Sequence, residues 1–242
     1  MSKRKIHIFI PCFVDQLFPG TAFNLIKVLE KAGCEVTYNP NQTCCGQPAF
    51  NAGFLPEARE VAAKFAKDFQ DADCIVSPSA SCTGFTRNYT PGLFDNNTQH
   101  QIIVKASEKV FELSDFLVNH LKFTDFGASL DVMATYHDSC AGLRECNIKK
   151  EPRALLEKVA GLKLVEMYDN ETCCGFGGTF AVKFEPISVA MAEQKLTNAM
   201  ATGATHIIST DLSCLMHIDA VAKKQNIPVT CMHLADVLAL GW

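Results

Sequence analysis

"TCCGQPAFNAG" at residues 43–53 and "TCCGFGGTF" at residues 172–180 set the same four letters, Thr-Cys-Cys-Gly, twice into one chain of 242 residues. Aligned on these two points, the remainder falls into two copies. The first reads "IHIFIPC", a helix-patterned segment closing on "LEKAG", then "CEVTYNPNQTCCGQP". The second reads "VMATYHDSC", a segment closing on "LEKVAG", then "LKLVEMYDNETCCGFGG". After each Cys-Cys-Gly come an amphipathic segment and a short apolar run ending on one cysteine, "CIVSPSASC" and "HIISTDLSC". Each copy finishes on a strand-like and a short helical piece, "VFELSDFLV" and "VTCMHLADVLA". A tandem duplication with its junction near Gly127 accounts for the doubling, giving a first half of residues 1–127 and a second of residues 128–242.

The local patterns make each copy βαβαβαβα. In residues 56–69 the apolar positions Ala58, Val61, Ala62, Phe65, Ala66 and Phe69 share one helical face. Pro56, Pro152 and Pro186 suit the first turns of helices, and Gly33 and Gly161 suit left-handed caps at helix ends. "IHIFI", "CIVS" and "HIIS" are short and apolar on both faces, as buried parallel strands are. The expected fold is α/β, with a parallel doubly wound sheet in each half.

Composition agrees with a globular protein: 48% of residues are hydrophobic and 20% charged. With 22 Lys+Arg against 26 Asp+Glu the formal charge is -4, which speaks against a nucleic-acid partner. "SKRK" before "IHIFIPCFV" is not followed by a cleavage-type sequence, and no run approaches the roughly 18 apolar residues of a membrane span. A cytoplasmic location is expected. Twelve cysteines in a reducing compartment then point to metal or redox work rather than to disulfides.

The fold class gathers those cysteines. Cys12 and Cys140 follow the first strands, Cys44–Cys45 and Cys173–Cys174 the second, Cys82 and Cys214 the third. Ligands of open α/β sheets bind outside the carboxyl ends of the strands, so four thiols are expected to meet at that edge in each half. Spacing repeats as well: 32 and 33 residues from the first cysteine to the pair, then 37 and 40 from the pair to the last. Four thiolates suit a [4Fe–4S] cluster and equally a tetrahedral zinc. Adjacent cysteines favour the cluster, because neighbouring side chains diverge towards separate irons. The glycine after each pair suits a close approach of backbone to a cluster, and "GFGG" at residues 175–178 reads as such a loop or as an ordinary turn.

Written twice, Cys…Cys-Cys-Gly…Cys resembles the cysteine-rich CCG domain found in heterodisulfide reductases and in glycolate oxidase iron–sulfur subunits. The wording "CCGQPA", "SPSASC", "TCCGFGGTF" and "DLSCL" is more narrowly similar to the lactate utilization protein A (LutA/YkgE) family, over essentially the whole chain. That resemblance implies a component of a bacterial LutABC-type system oxidising L-lactate to pyruvate, working with a LutB-like iron–sulfur protein and a LutC-like protein. It implies cluster ligands Cys12, Cys44, Cys45 and Cys82 in the first half and Cys140, Cys173, Cys174 and Cys214 in the second. Heterodisulfide reductase motifs end in Cys-x-x-Cys, whereas here the first of those positions is Ser79 or Asp211. A five-thiol site is therefore not available by this alignment. Asp211 reads first as a helix N-cap and only second as a ligand.

Cys146 has Phe18 as its counterpart and so stands outside the repeat, while Cys34, Cys74 and Cys231 read as small buried hydrophobes. His137, three residues before Cys140, reads either as a group that tunes a cluster or passes a proton, or as a hydrogen-bonded strand-end histidine. His233 aligns with Glu112, and neither is given a chemical role. Ser81/Ser213 and Thr43/Thr172 repeat, with hydroxyls suited to cluster sulfur or to helix caps. G-x-G-x-x-G, the P-loop and H-E-x-x-H are all missing, so flavin and NAD sites are unsupported. The expected function is electron transfer within a lactate-oxidising complex, with no catalytic residue assigned. A metal-free thiol–disulfide reductase and a zinc-stabilised scaffold remain as alternatives.

Overall fold

The computed structural model describes residues 3–95 and 98–242. Two four-stranded parallel sheets form its frame. The first contains β1 (Arg4–Ile8), β2 (Cys34–Tyr38), β3 (Ile75–Ser77) and β4 (Val110–Glu112) in the order β2-β1-β3-β4. The second contains β5 (Met133–Tyr136), β6 (Lys163–Leu164), β7 (His206–Ser209) and β8 (Thr230–His233) in the order β6-β5-β7-β8. Pairing runs in matched register: His7 lies opposite Thr37 and Ile75, while Ala134 lies opposite Leu164 and His206. In both sheets the order reverses beside the first strand, which opens a crevice at the carboxyl ends.

The helices of the first half are α1 (Cys12–Leu17), α2 (Pro19–Lys31), α3 (Gln47–Asn51), α4 (Leu55–Asp68), α5 (Ala80–Asn88), α6 (Thr98–Ser107) and α7 (Leu113–Asp115). Those of the second are α8 (Cys140–Arg144), α9 (Lys150–Leu156), α10 (Thr179–Lys183), α11 (Glu185–Met200), α12 (Leu212–Lys224) and α13 (Leu234–Leu238). Helix α2 buries Thr21, Leu25, Val28 and Leu29, one stripe at helical spacing, and stops before Gly33 at φ +87°. Gly161 is also left-handed, at φ +80°, yet α9 already ends at Leu156. It serves the turn into β6, where an added Cβ would come within 3.1 Å of the Asp131 backbone, rather than a helix cap.

The two sheets share a core. Leu25, Val28, Leu117 and Phe126 belong to the same buried cluster as Leu155, Leu234 and Val237. Polar contacts cross alongside it: Thr21 Oγ1 and Asn24 Nδ2 on α2 each donate to the Asp236 carboxylate on α13 at 2.9 Å. No helix among the described residues is long and apolar enough to cross a membrane.

Candidate metal centre

Each cysteine expected at a strand edge sits in the loop or first helical turn after its strand. Cys12 opens α1 and Cys140 opens α8. Cys82 and Cys214 lie in the first turns of α5 and α12, whose N-caps are Ser79 and Asp211. Ser79 Oγ accepts from the Cys82 N–H at 3.3 Å, and Asp211 Oδ1 accepts from the Ser213 N–H at 3.3 Å. Ser139 caps α8 by accepting from the Gly142 N–H at 3.1 Å. Capping thus fixes the three turns on which these cysteines ride.

Within each half the thiols form a chain. Hydrogen bonds from Cys12 and Cys45 hold the Cys44 thiol well below the usual range, and those from Cys140 and Cys174 do the same for Cys173. Cys45 and Cys174 are pushed up by their positions between neighbours in the chain and by burial. Cys45 Sγ lies 3.4 Å from Cys82 Sγ, a contact between free thiols rather than a bond. The middle thiolates also receive backbone donors, Gly46 N–H to Cys44 Sγ and Gly175 N–H to Cys173 Sγ, each at 3.4 Å. Soft donors ordered in this way, with amides aimed at sulfur, fit a thiolate-bound metal or cluster.

All eight thiols line one cavity of about 370 Å³. Phe13 and Phe176 in its lining have ring centroids 6.1 Å apart, and Ser81, Asp211 and Ser213 line it too. A second cavity of about 270 Å³, lined by Phe50, Tyr89, Arg144 and Glu145, adjoins it at Gln47, Asn51 and Cys140.

The glycines after the cysteine pairs have a packing role beside these amide contacts. A Cβ on Gly175 would come within 2.5 Å of the Ser188 carbonyl oxygen and 2.9 Å of Met191 Cβ, both on α11. On Gly46 it would meet Val61 and Ala58 of α4 at 3.3 and 3.5 Å. Both residues have positive φ, +93° and +95°. The missing side chain therefore lets the following helix pack onto the loop, while the amide turns towards sulfur.

Other residues singled out in the sequence take structural places. Cys34 and Cys74 are buried beside β1, and Cys146 donates its S–H to the Ala80 carbonyl at 3.4 Å. Cys231 lies within β8. Glu112 and His233, given no role above, turn out to be equivalent N-caps of α7 and α13. Thr43 and Thr172 are exposed. Ser213 Oγ donates to Asp211 at 2.6 Å, and Ser81 Oγ pairs with Ser79 Oγ at 3.2 Å, so these hydroxyls serve the caps.

Sequence reasoning missed the surroundings of the second thiol set. Lys195, only 1% exposed, donates Nζ–H to the carbonyls of Asp169 and Asn170 at 2.5 and 3.1 Å. Asp138 is clasped by both terminal nitrogens of Arg153 at 2.6 and 2.7 Å, and Arg153 also holds Glu166. His137, next in sequence to Asp138, is fully buried at 0% exposure. The available signal was a comparison of buried positions between the repeats, which the cysteine alignment alone does not make.

Two parallel sheets that deliver four thiols each to a common cavity define a duplicated, thiol-rich α/β protein. The sequence profile described as "Cysteine-rich domain" (CCG) matches residues 6–86 and 134–219. Lactate utilization protein A of Halalkalibacterium halodurans is 42% identical over 97% of this chain and 96% of its own. Its counterparts in Exiguobacterium sp. and Bacillus subtilis are 41% and 40% identical over 97% or more of both chains. The chain belongs to the CCG cysteine-rich family and, within it, to the lactate utilization protein A family. Among solved structures, a hypothetical protein from Helicobacter pylori shares the fold, with a TM-score of 0.65 at 12% identity over 100% of this chain and 51% of that one.

Proposed function

We propose that this chain is an iron–sulfur electron-transfer subunit of an L-lactate-oxidising system, with one [4Fe–4S] cluster on Cys12, Cys44, Cys45 and Cys82 and another on Cys140, Cys173, Cys174 and Cys214. The observation that carries the reading is the single cavity onto which all eight thiols open. Two one-electron centres facing one space suit the passage of electrons between partners. When bound, such a cluster supplies a reversible one-electron couple. The chain's own residues hold the thiolates, direct the Gly46 and Gly175 amides at sulfur and wall the centres with Phe13 and Phe176. A LutB-like iron–sulfur protein and a LutC-like protein are the proposed partners, in keeping with the family's name. The duplication is proposed to divide at Gly127, and a reducing, cytoplasmic setting suits twelve free thiols.

One observation favours a thiol–disulfide reductase instead: the Cys45–Cys82 contact at 3.4 Å beside a Cys44 held as thiolate. The two readings separate on protein purified without oxygen, by assaying iron, acid-labile sulfide and zinc per chain and recording the visible spectrum before and after dithionite. About eight irons and eight sulfides, bleached on reduction, is the expected result for two cubane clusters. Zinc alone would leave a scaffold. Metal-free protein whose activity is abolished by alkylation would leave the reductase.

A further inference from the structure

The halves diverge where they should match most closely, directly behind the thiols. Phe9 stands three residues before Cys12 and His137 three before Cys140. Gly46 packs on Ala58 of α4 and Gly175 on Ser188 of α11, and seven residues further along these helices stand Phe65 and Lys195. In the first half the rings of Phe9 and Phe65 meet edge to face, with centroids 5.0 Å apart. The second half fills the equivalent positions with an imidazole and an ammonium-bearing chain, both no more than 1% exposed.

An apolar pair needs no partners, but an imidazole does. Neither Nδ1 nor Nε2 of His137 has a hydrogen-bond partner, although the ring is fully buried. Native interiors rarely leave such groups unsatisfied: a protein group, an ordered water or an ion completes them. A ring nitrogen of His137, Cys174 Sγ and Cys214 Sγ all lie within 4.8 Å of one another. The Asn170 carbonyl stands near the ring but off hydrogen-bonding geometry. That oxygen already accepts from the Asp138 N–H at 3.2 Å and from Lys195 Nζ at 3.1 Å.

We infer that His137 is a nitrogen donor to the second metal centre, so that the two halves hold different centres, one thiolate-only and one thiolate–imidazole. The inference rests on the reading that the thiol sets bind metal. On the [4Fe–4S] reading each iron takes one terminal ligand, so His137 replaces one of the four proposed second-half thiolates; exchange of thiolate for neutral imidazole raises the potential, and the second centre is accordingly the one reduced first.

The test uses the full chain labelled with 15N-histidine, purified without oxygen and examined by pulsed EPR after reduction. A strongly coupled histidine nitrogen is expected in the wild-type protein. It should be lost in H137F, which installs the residue found in the first half, while the first centre's signal persists. Because the labelled wild type needs no substitution, the result stands even where H137F folds poorly. Fully iron-loaded protein with no histidine coupling, or with only the weak coupling of a hydrogen bond, overturns the assignment and leaves the cluster reading intact. If the chain takes up zinc instead, X-ray absorption at the zinc edge decides. Nitrogen in the shell that disappears in H137F supports His137 while refuting the clusters, and a sulfur-only shell overturns His137. A chain that takes up neither metal overturns both.

Discussion

The backbone N–H of Ser81 donates to Asp211 Oδ2 at 2.9 Å, between residues 130 apart in sequence. Ser81 lies in the first turn of α5 and Asp211 is the N-cap of α12, so one carboxylate serves the N-termini of two helices, one from each half. Each of those first turns carries a cysteine of its thiol set, Cys82 or Cys214. A negative charge between two helix N-termini is favoured by both macrodipoles. It fixes the spacing between the sites more firmly than apolar packing alone would.

Asp211→Ala removes a cap and a charge-assisted hydrogen bond, and is expected to lower stability by about 2–4 kcal/mol. Asp211→Asn keeps one acceptor oxygen but loses the charge and puts an NH2 donor where the second oxygen accepted, so it should fall between wild type and the Ala variant. Urea unfolding of the three proteins measures the order. Metal content of the folded Asn variant is expected to equal that of wild type. A folded Asn variant that loses metal would show Asp211 to be a ligand rather than a cap.

The glycines of the second loop are not interchangeable. Gly175→Ala must place a Cβ against the Ser188 carbonyl at φ +93°, combining strain of about 1–3 kcal/mol with overpacking of similar size. Gly178 also has positive φ, +61°, with ψ -109°, but nothing within 4 Å of an added Cβ, so Gly178→Ala should cost backbone strain alone, about 1–3 kcal/mol. Gly20, at ordinary φ in α2 with open space around it, should accept Ala with a gain of up to about 1 kcal/mol. Denaturation midpoints in the order Gly20→Ala, wild type, Gly178→Ala, Gly175→Ala are the expected outcome.

Glu112 supplies a pH signature. Burial pushes its carboxyl up from 4.5 to about 8, against the opposing pull of the Ser114 hydroxyl and the amides it caps. A carboxyl whose folded value is raised binds its proton more tightly in the native state. Its stabilising contribution is therefore complete below 4.5 and is lost as pH rises towards 8. The neutral Glu112→Gln variant lacks this dependence. Relative to that variant, wild-type stability should increase as pH falls through this window, by at most about 1.4 kcal/mol per pH unit. A difference that stays flat in denaturant titrations would mean that Glu112 is charged throughout.

Much of the fold was legible because its signals are local or periodic. The doubled Thr-Cys-Cys-Gly, the apolar runs and the amphipathic α4 and α2 patterns specify strands, helices and their order. The order in turn sends cysteines to the carboxyl edges. What escaped depends on how the halves pack. Nothing local to Ser81 announces Asp211 as its partner, and a cavity common to both thiol sets requires the two sheet edges to face each other. Glu112 and His233 hid for another reason: as N-caps they exchange a carboxylate for an imidazole, so an alignment by residue type shows only a mismatch. Gly161 looked like a cap because left-handed glycines end helices and shape turns alike.

Lys195 tests whether the second thiol set is tuned by charge. Its ammonium is buried near Cys173 and Cys174, and burial lowers its proton affinity. Phe65 at the equivalent place offers the first set no cation. A fixed positive charge favours the more negative, reduced form of a nearby centre. Lys195→Met keeps chain length and removes the charge, so one of two reductive steps should move to lower potential while the other stays in place. An EPR-monitored potentiometric titration of wild type and variant reads both steps at once. Equal movement of the two, or none, would show that the Lys195 charge is spent on the Asp169 and Asn170 carbonyls and does not reach the thiolates.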